Sequence, residues 1–159
     1  MTKNKILVIQ KKRIGDVLTS TILLEALREK FPEYKLHYLI YENSVAVVEN
    51  NPFVDKIIIM NEKDRKSKLG FLKFLFQIRK ENYEIVVDAY GKPNSVILGW
   101  FSGAKKTITF DKIYSKLLYT HPIKRNTTSF SNATKAIEHR MMLLSPLGID
   151  FKVIKPKIF

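Results

Sequence analysis

The chain has 159 residues, enough for one domain with a real hydrophobic core, and 45% of them are apolar, which excludes a disordered segment. It has no cysteine, so disulfides, thiolate catalysis and cysteine-type zinc sites are excluded together. Twenty-eight Lys and Arg against 15 Asp and Glu give a formal charge of +13, an argument about partners rather than fold: nucleic acid, an anionic membrane surface, or a phosphorylated or carboxylated substrate.

The start, Met1-Thr2-Lys3-Asn4, leads into only about five apolar residues, too few for a secretory signal core. No run approaches the roughly 20 apolar residues of a membrane span. A soluble, cytoplasmic chain is the expectation.

Lys5–Ile9 reads as a buried strand, and the helical stripe that follows, from Val17 to Lys30, closes at Phe31-Pro32. Leu36, Tyr38 and Ile40 alternate as a second strand. A short helix over Ser44–Glu49 stops at Asn50-Asn51-Pro52. Lys56–Met60 is a third strand, too apolar at Ile57-Ile58-Ile59 for an edge. Asn61–Lys68 reads as a polar connection. The helix over Leu69–Glu81 has Leu69, Leu72, Leu75 and Phe76 on one face. Glu84–Asp88 is a buried fourth strand ending in a carboxylate. After a loop with Gly91 come a short helix over Asn94–Ser102 and a fifth strand, Thr107–Phe110. Asp111–Ser131 is the least regular and most basic stretch. A last helix covers Asn132–Leu147, with Gly148 past its end.

Such alternation predicts βαβ units, hence an α/β, Rossmann-like three-layer fold on a parallel sheet, with helices on both faces. Residues 1–150 read as one domain. Residues 151–159 read as a connector toward something further on.

The chemistry centres on Lys11-Lys12-Arg13-Ile14-Gly15-Asp16, at a strand-to-helix turn. In α/β sheets, ligands bind outside the strand C-termini. Asp16 is either an N-cap or a general base able to take a proton from a substrate hydroxyl. Lys11, Lys12 and Arg13 could hold an anion, while Gly15 lets it approach the backbone. Asp88 either satisfies loop N–H groups or, with Tyr90 and Gly91, walls the same cleft. Arg65, Lys66 and Lys68 follow the third strand and reach the same sheet edge, as a solvated loop or an anion clamp. One glycine in the first turn excludes G-x-G-x-x-G, and no phosphate-loop motif is present. His37, His121 and His139 lack metal-ligand spacing, so no metal is expected. The basic, aromatic-rich 105–125 region would suit nucleic acid or an anionic headgroup layer.

These residues resemble the heptosyltransferase family (glycosyltransferase family 9). Ile6–Ile9 followed by Arg13-Ile14-Gly15-Asp16-Val17-Leu18-Thr19 is similar to the family's opening. Val86-Val87-Asp88-Ala89-Tyr90-Gly91, then Ser95, Ser102-Gly103-Ala104-Lys105-Lys106 and Phe110-Asp111 resemble its central block. Lys135–His139 and Leu143–Ile149 resemble its last helix and "L-G" ending. The resemblance implies the N-terminal, acceptor-binding domain of a GT-B fold, whose C-terminal partner binds the nucleotide sugar ADP-heptose. It implies inverting transfer to the inner core of lipopolysaccharide with neither metal nor other cofactor. Asp16 would be the base, and Arg65, Lys66 and Lys68 would hold the acidic Kdo sugars of the acceptor. Peripheral contact with the anionic inner face of the inner membrane is implied, and no nucleic acid. This chain departs from the family at Gln10 (typically lysine), Thr109 (glycine), Lys135 (histidine) and His139 (arginine). Only the N-terminal half is resembled, so the chain alone is expected to lack donor binding and turnover. The rival reading is a non-catalytic basic Rossmann-like module for nucleic acid or anionic lipid.

Overall fold

The structure is a computed structural model and describes residues 4–159. Six parallel strands form one sheet in the order β3-β2-β1-β4-β5-β6. They are β1 (Lys5–Ile9), β2 (Lys35–Tyr41), β3 (Lys56–Met60), β4 (Ile85–Asp88), β5 (Lys106–Phe110) and β6 (His121–Ile123). The helices are α1 (Ile14–Lys30), α2 (Glu62–Lys66), α3 (Lys68–Lys80), α4 (Pro93–Phe101), α5 (Ile113–Leu118) and α6 (Lys135–Met142). Two 3-10 turns, Glu42–Val47 and Ser145–Leu147, complete the regular structure. The parallel three-layer fold is therefore as expected.

The pleat of β1 explains the layers. Ile6 and Val8 face one core, with Leu23, Leu24 and Leu27 of α1 and Met141 of α6. Leu7 and Ile9 face the other, with Phe74, Leu75 and Ile78 of α3 and Leu98 of α4. A central strand covered on both sides reads as a continuous apolar run. The same reason removes the expected alternation in β2, whose residues Leu36 to Ile40 are all buried.

Three expectations about the left half of the sheet are corrected. β3 is an edge strand, paired among the described residues only with β2. Its apolar run misled because helices cover an edge strand of an α/β sheet on both faces: Ile57 packs in one core and Ile58 in the other. Residues 62–66 form a helix rather than a loop, because Asn61 and Asp64 make a reciprocal capping box. Finally, α3 buries Phe74, Leu75 and Ile78, backed by Phe71, and leaves Leu69, Leu72 and Phe76 outside. The 71/74/75/78 set has the tighter i, i+3, i+4, i+7 spacing and takes the core.

The right half held two unforeseen elements. Within the irregular basic stretch, α5 forms and β6 pairs with β5, Ile108 opposite His121. The last helix is shorter than expected and gives way to a turn ending at Gly148, whose φ of 71° is left-handed. The 151–159 segment has no regular structure but is fastened to the domain. Ile154 joins the α1-side core, and Phe159 packs edge-on against Phe53 at 5.8 Å.

Candidate functional site

Strand β1 is the topological switch point: β2 and β3 lie on one side, β4 to β6 on the other. The loops leaving β1 and β4 therefore diverge and open a crevice between them. A cleft of about 230 Å³ occupies this place. Gln10, Lys12 and Asp16 line it from the first loop and α1, and Ala89 to Lys92 from the second. Phe110, Lys112, Arg125, His139 and Arg140 close the remaining side.

Asp16 is not the N-cap. Arg13 holds that position, without a side-chain cap, and Asp16 is the third residue of the first turn. Its carboxylate is thus free to face the cleft, and the helix dipole still favours its charge. Arg140 Nη2 donates to Asp16 Oδ1 at 3.0 Å, and Lys12 Nζ stands 3.8 Å from Oδ2. Arg140 is in turn fixed: its Nε donates to Ser20 Oγ at 2.7 Å, and Gln10 Nε2 donates to the same oxygen at 3.1 Å. One carboxylate is therefore oriented by α6, α1 and the end of β1 together. Gln10 Oε1 is buried without a hydrogen-bond partner among the described residues. Gly15 leaves open space: a Cβ built there meets nothing within 4 Å.

Asp88 closes the floor beneath. Its Oδ1 accepts from the N–H groups of Tyr90 at 3.0 Å and Gly91 at 2.9 Å. Tyr119 donates to Oδ2 at 3.4 Å. Burial pushes this carboxyl up from the usual carboxylate range, against the pull of the Gly91 N–H and the Lys11 ammonium. The structure thus gives Asp88 the loop-shaping role. It holds Gly91 at a φ of 62°, and the Gly91 carbonyl accepts from Tyr114 Oη at 2.8 Å. Tyr90 and Gly91 do wall the cleft.

The two predicted sets of cations, Lys11 to Arg13 and Arg65, Lys66 and Lys68, do not converge on the cleft as a whole. Lys12 lines the cleft, whereas Arg13 is exposed at the helix mouth. Lys11 is enclosed, 1% exposed, with Nζ 3.6 Å from Met60 Sδ and 5.9 and 5.8 Å from the Tyr41 and Tyr90 rings. Burial pushes its ammonium down, partly countered by Asp88. It supports the cleft wall from behind rather than facing solvent. Arg65 stacks on Tyr41 at 4.9 Å and lines a separate hollow with Asn43 and Met60. Lys66 pairs with Glu62 of its own helix, and Lys68 is exposed at the start of α3. None of these three lines the Asp16 cleft.

In their place the fold brings in Lys92, Lys112, Arg125 and Arg140. Arg125 lies 4.0 Å over the Phe110 ring, and burial lowers its guanidinium pKa. Lys112 and Arg125 were visible as part of a basic stretch. Arg140, 124 residues from its partner, carried no local signal. The cleft thus holds one carboxylate among five cations: a candidate general base in a site whose charge is suited to an anion. Among the described residues there is no cluster of three or more His, Cys, Asp or Glu suited to a metal, and no helix long and apolar enough to cross a membrane.

This fold, with its cleft at the strand C-termini, is that of the N-terminal domain of a GT-B glycosyltransferase. In sequence and fold the chain is similar to the heptosyltransferases of glycosyltransferase family 9. It is 27% identical over 117 residues to "Lipopolysaccharide heptosyltransferase 1" of Campylobacter coli, covering 74% of this chain and 34% of that protein. A family 9 glycosyl transferase of Veillonella parvula superposes with a TM-score of 0.76 at 22% identity, over 92% of this chain and 42% of the other. An Escherichia coli heptosyltransferase, solved with ADP-2-deoxy-2-fluoro heptose, gives 0.75 at 18%, over 96% and 51%. The chain therefore spans about a third to a half of these relatives. No protein-family profile matches it.

Proposed function

We propose that the chain is the acceptor-binding half of an inverting heptosyltransferase-like glycosyltransferase, acting on an inner-core lipopolysaccharide acceptor. The observation that carries this is the cleft at the switch point, where Asp16 stands among Lys12, Lys92, Lys112, Arg125 and Arg140. Two or more carboxylates on neighbouring acidic sugars suit such a cation ring, and the guanidinium of Arg125 can grip one of them with two hydrogen bonds.

In this reading Asp16 takes the proton from the attacking acceptor hydroxyl. The oxygen bonds to the anomeric carbon of the nucleotide sugar from the face opposite the leaving diphosphate, so the centre inverts. A second Rossmann-like half, joined through the 151–159 segment, supplies ADP-heptose. The relatives' length and the ADP-sugar in one of them support this division. Arg140 fixes the carboxylate's direction. In this reading the acceptor is lipid-linked, and the protein works at the inner face of the inner membrane.

The test is an amide NMR titration of the 159-residue chain, once with a Kdo-containing core oligosaccharide and once with ADP-heptose. Shifts at Lys12 to Val17 and Ala89 to Lys92 with the first alone support the proposal. Saturable binding of ADP-heptose, or no response to the oligosaccharide, overturns it.

A further inference from the structure

The outer face of α3 is apolar where a surface helix should be polar. Leu69, Leu72 and Phe76 lie at i, i+3 and i+7, one stripe along the helix, and are 61%, 46% and 50% exposed. The stripe continues onto α4. The Phe76 ring meets Phe101 edge-on at 5.3 Å, and the neighbouring Trp100 is 52% exposed. Scattered exposed apolar residues are ordinary, but a continuous stripe across two helices marks a surface that something covers.

The charges beside the stripe identify what covers it. The α3 sequence carries Lys68, Lys73, Arg79 and Lys80 and no acidic residue. A second copy of this chain packed face to face would bring these cations against themselves. Beside Leu69 the helix before it adds Lys63 and Lys66 against one carboxylate, Glu62, and an apolar stripe in such a cationic surround instead matches an anionic lipid layer, with acyl chains beneath and phosphates above. Trp100 at the margin suits the headgroup level.

We infer that the α3 stripe, continued by Trp100, is a membrane-docking face that lies in the surface of an anionic bilayer. It rests on the acceptor reading above for its choice of a lipid partner. The geometry also gives it a use. Helix α3 starts at the C-terminal edge of the sheet, following β3 and α2, so its Leu69 end lies on the same edge as the Asp16 cleft. Docking by this face brings the cleft to the level at which a lipid-linked sugar projects.

The experiment is vesicle co-sedimentation of the full chain, with vesicles of phosphatidylglycerol and phosphatidylethanolamine or of phosphatidylcholine alone. The expected result is at least about tenfold tighter binding to the anionic vesicles, weakened by salt. Leu69→Gln/Leu72→Gln should lower it about tenfold or more, and Lys73→Gln should lower it only on anionic vesicles. These side chains are exposed, so a matching thermal melt confirms an intact fold. Equal binding to both vesicle types, no binding, or no effect of the double variant overturns the inference. So does wild-type self-association abolished by the same variant, which would make the stripe a dimer face. Titration of the double variant with the soluble core oligosaccharide separates the two proposals. Lost vesicle binding with retained sugar binding assigns the stripe to lipid alone. Lost sugar binding in the wild type overturns the reading of the cleft, whatever the vesicles do.

Discussion

Arg140 Nη2 donates to Asp16 Oδ1 at 3.0 Å, across 124 residues of sequence. The guanidinium is 11% exposed and the carboxylate 28%, so water competes weakly. The pair joins the last helix to the first turn of the first helix and makes the site depend on the completed fold. Arg140→Ala removes one charged hydrogen bond to Asp16 and another to Ser20. Stability should fall by roughly 1.5–3 kcal/mol in urea titration, with the Asp16 amide shifted. Arg140→Lys should recover part of the stability but not the amide position, since an ammonium cannot hold Ser20 and Asp16 in one plane. An unchanged Asp16 amide in Arg140→Ala would remove the positioning role.

Asp16→Asn separates chemistry from architecture. The amide oxygen can still accept from Arg140, so the melting temperature should move by a few degrees at most. An amide cannot take the acceptor's proton. In a two-domain version carrying the donor half, transfer should drop about 10²–10⁴-fold while binding of the core oligosaccharide persists. Full transfer by Asp16→Asn would remove Asp16 from the reaction.

The site was legible in sequence only where it is local. Asp16 and Gly15, in the first turn of α1, and Tyr90 and Gly91, on the loop after β4, follow strands that the sequence pattern fixes, and all lie at the predicted sheet edge. Lys11 and Lys12 are adjacent and chemically alike, yet one is enclosed against Met60 and the other lines the cleft. Nothing in a run of cations distinguishes them, because the pleat and the turn decide which side chain points where. Arg140 was invisible for a different reason: its partner is set by packing of α6 on α1. On α3 the opposite problem arose. Two apolar stripes share one helix, and periodicity alone does not say which is the core.

Glu81 gives the fold an acid-sensitive tie. It pairs with Lys5 of β1 at 2.8 Å and with Lys56 of β3 at 2.6 Å. Its partial burial would raise the carboxyl, but the hydrogen bonds from the two lysines win and bring it down to about 2, from the ordinary 4.5. Between these values the unfolded chain binds more protons than the folded one, so stability rises with pH. The contribution is complete above about pH 4.5 and fades as pH falls through about 2. Glu81→Gln should flatten the urea midpoint between about pH 4.5 and 2, and cost about 1 kcal/mol at pH 7, since water reaches the cluster. An unchanged acid slope would show that other carboxylates set it.

Gly99 tests how tightly α4 is pressed onto the sheet. A Cβ added there would stand 1.9 Å from Tyr119 Oη and 3.2 Å from Val86 Cγ1. Tyr119 cannot retreat cheaply, because its hydroxyl donates to Ser95 O at 3.2 Å and Asp88 Oδ2 at 3.4 Å. Gly99→Ala should therefore destabilise by about 1–3 kcal/mol through overpacking, where an alanine in an exposed helix would stabilise. The disturbance should also travel. Displacing Tyr119 removes a donor from Asp88, whose other oxygen holds the Tyr90 and Gly91 amides at the cleft wall. The amide resonances of 89–92 should shift in Gly99→Ala, and oligosaccharide affinity should fall with them. Destabilisation with unmoved 89–92 resonances would show that the wall is held by the loop alone, and that Asp88 does not need the tyrosine.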